Sequence, residues 1–211
     1  AHQAFREGNF GSLFEALVLN DSGKPYLYTR TGNQLERITP IDVAFPVLHG
    51  TFGEDGTIQG LFEIQNCAYV GAGVLGSSVA MDKAVCKHVM ESIGIPVLDY
   101  AVFTRRAIQE SLSETIEKAE AVAPYPLFVK PAKLGSSVGI NKARNREQLT
   151  LALQEAARFD RRILVERGIS PREIEISVLG NSEVECTVPG EIVPGDEFYT
   201  YKDKYQSGDP E

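Results

Sequence analysis

Hydrophobic positions along the chain come in short runs divided by polar, glycine-rich stretches, the pattern of strands and helices in alternation. The first runs, LFEALVL and YLYT, flank the cluster Asn20-Asp21-Ser22-Gly23 and predict a hairpin or strand pair. DVAFPVLHG is an apolar run ending in His49 and Gly50, and a polar glycine loop follows it. TIQGLFEIQ then carries Ile58, Leu61, Phe62 and Gln65 at helical spacing. Strand, loop and helix in this order make one α/β unit. Its loop lies between the carboxyl end of a strand and the amino end of a helix, where such sheets bind ligands.

CAYVGAG is a second short apolar run, and MDKAVCKHVMESIG predicts a helix with Met81, Val85 and Val89 four apart, Gly94 as its stop and Pro96 beyond. That helix carries Lys83 and Lys87 on one face, one turn apart. Glycine and serine cluster near Gly76, which is taken as the domain boundary. The next unit reads as strand (VLDYAVF), helix (SETIEKAEAVA, opened by the capping-box spacing Ser111 to Glu114), strand (LFVK), glycine loop and strand (VGINKA). A helix follows from Asn145, with Leu149, Leu153 and Ala156 on one face and Gln148 in capping-box position. RILVE is a short strand. REIEISVLGN and SEVECTVPG both alternate with period two around a Gly-Asn turn and predict an antiparallel hairpin. There is no internal repeat.

Composition narrows the class. With 211 residues, 43% hydrophobic and 24% charged, the chain reads as a globular protein of two units. A net charge of −8 argues against nucleic acid as a partner, yet local lysines and a metal can still gather a phosphate in a cleft. Cys67, Cys86 and Cys186 are odd in number and widely spaced, so neither a disulfide framework nor a zinc site is indicated. No signal-peptide pattern is present, and no apolar run nears the roughly 18 residues of a membrane helix. A reducing cytoplasm is the expected location, with no membrane partner.

The stretch FVKPAKLGSSVGINK holds the densest chemistry. Lys130 closes an apolar strand, where an unpaired charge is unfavourable. Gly135 and Gly139 let backbone N–H groups approach an anion, and Ser136 and Ser137 add hydroxyl donors. On spacing alone, a polar hairpin with Lys130 reaching solvent along its apolar stem fits equally well. Because strand follows strand, such a loop would act as a flap over phosphates rather than a Walker loop fixed on a helix. Lys87 could reach the same phosphates, although alone it reads as part of a solvated helical face. Glu166 and Glu173 follow an apolar strand, and one could accept ribose hydroxyls, though exposed glutamates are common. HGTFGEDG places His49, Glu54 and Asp55 among three glycines, as a site loop or as a turn with a helix-capping acid. Cys86 reads as a packed helix residue, and His2 and His88 carry no pattern.

Taken together, HGTFGEDGTIQGLFE, GVLGSSVAMDKAVCK, FVKPAKLGSSVGINK, LVERGISPREIEISVLGN and PGEIVPGDEFYTYKDKY occur in an order that resembles the D-alanine–D-alanine ligases of the ATP-grasp superfamily. The match runs from about Asp42 onward. The resemblance implies an α/β protein, α+β in part: an ATP-grasp fold preceded by a Rossmann-like α/β domain, its C-terminal part incomplete here. It implies a substrate domain over 1–75, a central subdomain with the phosphate flap over 76–165 and the start of a third over 166–211.

By the same resemblance, ATP phosphates meet Lys87 and Lys130 under a flap of Gly135, Ser136, Ser137 and Val138. Glu166, Arg167 and Ile169 take the adenine edge, and Glu173 the ribose. His49 lines the first D-alanine subsite, its loop shaped by Glu54 and Asp55. Ser136 and Tyr205 belong to a hydrogen-bonded group that closes over the substrates, and Lys204 points to the γ-phosphate. Thr200 stands where an aspartate is more usual. The family also has an earlier glycine-rich strand with a glutamate motif. It has, past the position of Glu211, an arginine at the oxyanion site and an acidic set for Mg2+. The chain is therefore expected to be part of a longer protein, and no metal ligand is assigned. The implied activity is ATP-dependent synthesis of D-alanyl-D-alanine by a cytoplasmic homodimer. The alternatives are a ligase that takes D-lactate and a non-catalytic ATP-binding module; Tyr205 argues against the D-lactate reading by resemblance.

Overall fold

The computed structural model describes residues 15–135 and 138–193, together with Asn9, Gly11 and Leu13. Ser136, Ser137, Lys204 and Tyr205, four of the expected site residues, lie outside the described residues, as does Thr200. The chain divides into two compact units, 1–80 and 81–211. Gly76, near which the boundary is expected, lies close to that division, within a helix.

The first unit opens with an antiparallel sheet of β1 (Glu15–Asp21), β2 (Lys24–Thr31) and β3 (Gln34–Pro40), in that order. Ser22 and Gly23 both take positive φ in the two-residue turn between β1 and β2, as a tight hairpin matching strand twist requires. The hairpin is as the sequence pattern predicts. β3 is not, because every one of its residues is exposed and it has no buried face to leave a period-two signature. Beyond it, Ala44 and Tyr69 form a parallel bridge: Ala44 N–H donates to Ala68 O at 2.8 Å, and Val70 N–H to Ala44 O at 2.9 Å. Between the bridged segments run the glycine loop and α1 (Thr57–Ile64), so the expected loop and helix are present, whereas the expected strand over DVAFPVLHG is reduced to the single bridge at Ala44. Its buried face differs from the predicted one. Gln59 and Phe62 are buried, whereas Leu61 and Ile64 are exposed. α2 (Val74–Met81) follows, a helix that the glycine and serine content conceals in the sequence.

The second unit begins with α3 (Lys83–Ser92). The predicted helix over Met81–Gly94 is thus split from α2 at Asp82, which is extended; its Oδ1 accepts from Val85 N–H at 3.1 Å and caps α3. β4 (Tyr100–Thr104), β5 (Leu127–Pro131), β6 (Asn141–Ala143) and β7 (Arg162–Arg167) form an antiparallel sheet in the order β4-β7-β5-β6. α4 (Arg105–Glu110), α5 (Leu112–Glu120) and α6 (Arg146–Phe159) pack on one face. α6 follows its sequence signature: Asn145 Oδ1 accepts from Gln148 N–H at 2.9 Å, and Leu149, Leu153 and Ala156 are fully buried. The Ser111–Glu114 spacing does not make a capping box. Ser111 joins α4 to α5 with no side-chain cap, and Glu114 pairs with Lys118 at 2.6 Å.

The core unites Leu127, Val129, Ile163 and Val165 of the sheet with Ile108, Ile116, Leu149 and Leu153 of the helices. Last comes the predicted hairpin, as two nested pairs: β8 (Glu173–Glu175) with β11 (Gly190–Ile192), and β9 (Val178–Leu179) with β10 (Glu185–Cys186). Replacing Leu153, which has no exposed surface, with Ala should destabilise the second unit by about 2–5 kcal/mol through lost burial and a residual cavity. Urea unfolding of the wild type and the variant checks this.

Candidate functional site

Strand pleat sorts the residues of β5 and β7 onto two faces. Leu127 and Val129, with Ile163 and Val165, turn to the helices. Phe128 and Lys130, with Leu164 and Glu166, therefore turn the other way. Glu166 sits opposite Phe128 on one side and opposite Tyr100 on the other. Lys130 Nζ forms an ion pair with Glu166 Oε1, and Lys87 Nζ from α3 lies 2.9 Å from Oε2. Burial pushes the Glu166 carboxyl up, but the charge and hydrogen bonds of Lys130 and then Lys87 outweigh it and hold the group below its ordinary value. Lys87 Nζ also stands 5.2 Å from the centre of the Tyr100 ring, within cation–π range. Two ammoniums share one carboxylate, which leaves a net positive charge on this face. Lys130 is thus neither unpaired nor free in solvent.

The glycine loop starts at this cluster. Its first limb is held from beneath: Lys83 N–H donates to Ala132 O at 2.9 Å, and Lys83 Nζ to Pro131 O at 3.2 Å and to Leu134 O. Lys133 N–H donates to Asp160 Oδ2 at 2.7 Å. Gly135 O accepts from Val138 N–H at 3.2 Å. On the return limb, Gly139 has φ +70°, and a Cβ there would stand 2.9 Å from both Phe159 Cδ2 and Pro131 Cγ. Packing therefore requires this glycine, as well as any approach to a ligand. Lys142, opposite Phe128, brings its Nζ to 6.0 Å from the ring centre and adds another cation to the face. Neither Lys83 nor Lys142 is among the site residues the sequence suggests, where each is one more lysine in a helix or strand.

The segment after β7 is fixed by its backbone. Arg167 N–H donates to Asp99 O at 3.0 Å, while its guanidinium Nε and Nη2 reach Asp99 Oδ2 at 3.0 and 2.6 Å. Gly168 N–H donates to Pro126 O at 2.9 Å, and a Cβ at Gly168 would lie 3.0 Å from the Pro126 carbonyl carbon. Ile169 is exposed, and Glu173 is half-buried opposite Ile192. Both follow directly from the strand that carries Glu166.

In the first unit, Glu54 Oε2 accepts from Gly50 N–H. Asp55 accepts from Phe52 N–H through Oδ2 and from Thr57 N–H through Oδ1, each at 3.0 Å. Partial burial raises the Asp55 pKa, but the hydrogen bonds from Phe52 and Thr57 outweigh it and lower it. Both acids thus bend the loop on itself and present the exposed His49 at its start. Gln59, whose amide Nε2 donates to Gly53 O at 3.0 Å, secures the same loop from α1. Gly56, at φ +93°, leaves no room for a Cβ, which would stand 2.8 Å from Val74 O.

The profile described as D-ala D-ala ligase N-terminus matches residues 8–72, and the one described as D-ala D-ala ligase C-terminus matches 89–211. The chain belongs to the D-alanine–D-alanine ligase family. It is 53% identical over 204 residues to a D-alanine–D-alanine ligase of Bacillus velezensis, covering 94% of this chain and 58% of that protein. With one from Ruminiclostridium cellulolyticum it shares 55% identity over 170 residues, 81% of this chain and 45% of the relative. The D-alanine–D-alanine ligase of Coxiella burnetii superposes with a TM-score of 0.72 at 36% identity, over 92% of this chain and 51% of that one. The VanG D-Ala:D-Ser ligase of Enterococcus faecalis superposes with a TM-score of 0.71 at 33% identity, over 88% and 55%. The fold is accordingly ATP-grasp, preceded by an α/β unit. The chain spans about half the length of the curated relatives it matches.

Within this family member the Glu166 carboxylate makes stability sensitive to acid. Its folded pKa lies below its ordinary 4.5, so its stabilisation is complete above that value and is lost as pH falls through the folded pKa. Glu166→Gln should cost about 2–3 kcal/mol near neutral pH by leaving two half-buried ammoniums unpaired. Urea midpoints of the variant and the wild type should converge as pH falls further below 4.5.

Proposed function

We propose that the protein carrying this chain joins two D-alanine molecules at the expense of ATP, supplying D-alanyl-D-alanine for peptidoglycan precursors. The observation behind this reading is the Lys87–Glu166–Lys130 cluster beside the glycine loop, in a chain about half identical to proteins named D-alanine–D-alanine ligase. Lys87 and Lys130 then neutralise the ATP phosphates, under a flap of Gly135, Ser136, Ser137 and Val138. The adenine edge lies against Glu166, Arg167 and Ile169, and Glu173 holds the ribose. His49 borders the first D-alanine, while Lys204 and Tyr205 close on the γ-phosphate and the substrates. The three-part division at 75/76 and 165/166 belongs to the same reading.

A carboxylate oxygen of the first D-alanine attacks the γ-phosphorus, the bond to the bridging oxygen breaks, and ADP leaves with that electron pair. The neutral amine of the second D-alanine attacks the acyl phosphate carbonyl. The tetrahedral intermediate collapses with loss of inorganic phosphate and a proton. No protein nucleophile is needed. Phosphoryl transfer is served by fixed cations and donors around oxygens that gain charge, and exclusion of water protects the acyl phosphate.

Mg2+ accompanies ATP in this reading. Among the described residues no three His, Cys, Asp or Glu side chains gather to hold a metal, so no ligand is assigned and no step runs through the ion. A cytoplasmic homodimer is part of the same proposal; among the described residues no helix is long and apolar enough to cross a membrane. A second reading, a ligase with a different acceptor, is favoured by the likeness to the VanG D-Ala:D-Ser ligase.

The test is ADP release by the intact protein with D-alanine as the sole amino acid. D-alanine-dependent release with dipeptide formation is expected, and ATP hydrolysis indifferent to D-alanine would sink the proposal. Competition between D-alanine, D-serine and D-lactate separates the two readings by product. His49→Ala should impair the D-alanine steps and leave nucleotide affinity nearly unchanged, as read from separate KM values for D-alanine and ATP.

A further inference from the structure

Lys83 has no place in the proposed chemistry, yet it makes three hydrogen bonds to one short segment. Its backbone N–H donates to Ala132 O at 2.9 Å, and its ammonium to Pro131 O at 3.2 Å and to Leu134 O. These carbonyls follow Lys130 directly and form the limb by which the glycine loop leaves β5. A strand end that leaves its sheet has carbonyls without ladder partners, and here one lysine satisfies several of them. The residue beside it is fixed just as firmly. Asp82 caps α3 at Val85 N–H and forms an ion pair with Arg162 at the start of β7. Helix start, strand end and loop limb are therefore tied at one point.

We propose that Lys83 is a positioning residue for nucleotide binding: by clamping the carbonyls of Pro131, Ala132 and Leu134, it fixes the loop limb that aims Lys130 at the phosphates. The proposal rests on the ATP site assigned above. Lys83 also stands behind Lys130 as a further cation. Burial first, and the Lys130 charge second, push its pKa down to about 8, while Asp160, Glu166 and Asp82 draw it upward. Lys87 lies one turn along its own helix, and Arg162 of β7 pairs with the adjoining Asp82. Bound phosphates favour the protonated form, so ATP binding draws a proton onto Lys83 as pH rises through its pKa, and affinity falls with further rise.

The experiment is calorimetric titration of a non-hydrolysable ATP analogue into the intact protein, from about pH 7 to about pH 9. The proteins compared are the wild type, Lys83→Met, Lys83→Arg and Lys130→Ala. Lys83→Met should raise Kd about tenfold near pH 7 and speed hydrogen exchange over 132–135 without a matching change in the α6 core. Lys83→Arg, which stays charged, should keep most of the affinity and lose the alkaline decline. If Lys130→Ala binds ATP as the wild type does, the phosphate site itself is misassigned. If Lys130→Ala is weakened and Lys83→Met is not, only the positioning role fails. Faster exchange throughout the second unit would make Lys83 merely structural and overturn the proposal. Should Lys83→Met not fold, the arginine variant still decides: an alkaline decline equal to that of the wild type overturns it.

Discussion

A buried carboxylate must find cations, and Glu166 finds two. The surrounding architecture meets that electrostatic demand. Lys130 arrives from the neighbouring strand and Lys87 from a helix that begins where Asp82 breaks the chain. Separating any of the three would leave a poorly hydrated charge alone, which is more unfavourable than the trio is favourable. The strand pairing of β5 with β7 and the seat of α3 are thus held by charge on one face and by apolar packing on the other. The same arrangement stores excess positive charge next to a loop of backbone donors. Such an arrangement suits a polyanion, and it lets a chain of net charge −8 present a locally positive face.

The glycine loop is better anchored than its composition suggests. Hydrogen bonds from Lys83 fix one limb, and the ring of Phe159 and the ring of Pro131 fix the other around Gly139. Glycines in such loops are easily assigned to ligand approach alone. At Gly139 and Gly168 the nearest constraint is the protein's own packing, since a Cβ would meet a side chain in one case and the Pro126 backbone in the other.

Much of this was legible in the sequence where one physical signal dominated. α6 announced itself through Asn145, Gln148 and the Leu149–Leu153–Ala156 stripe, and the terminal hairpin through its period of two. Lys130, Lys87 and Glu166 were each visible as candidates. Their convergence was not, because it depends on β7 lying between β4 and β5, a pairing that no local pattern encodes. β3 has no buried side, so it gave no periodic signal. The Ser111–Glu114 spacing misled because Ser111 serves as a junction between two helices. Lys83 was passed over because a lysine that binds carbonyls through space looks, in sequence, like one that faces water.

The alternation in β5 and β7 constrains how this stretch can change in length. Removing one residue between Leu127 and Lys130 would shift every later position to the opposite face. Lys130 would then point into the layer of α4–α6, and an apolar side chain would face Glu166. A deletion of two would restore the faces but shorten the strand and draw the loop off its anchor. Insertions and deletions are therefore excluded from β5 and β7 even where single substitutions are tolerated. Length variation has to fall in segments such as the exposed turn at Gly32 and Asn33, where no parity has to be kept.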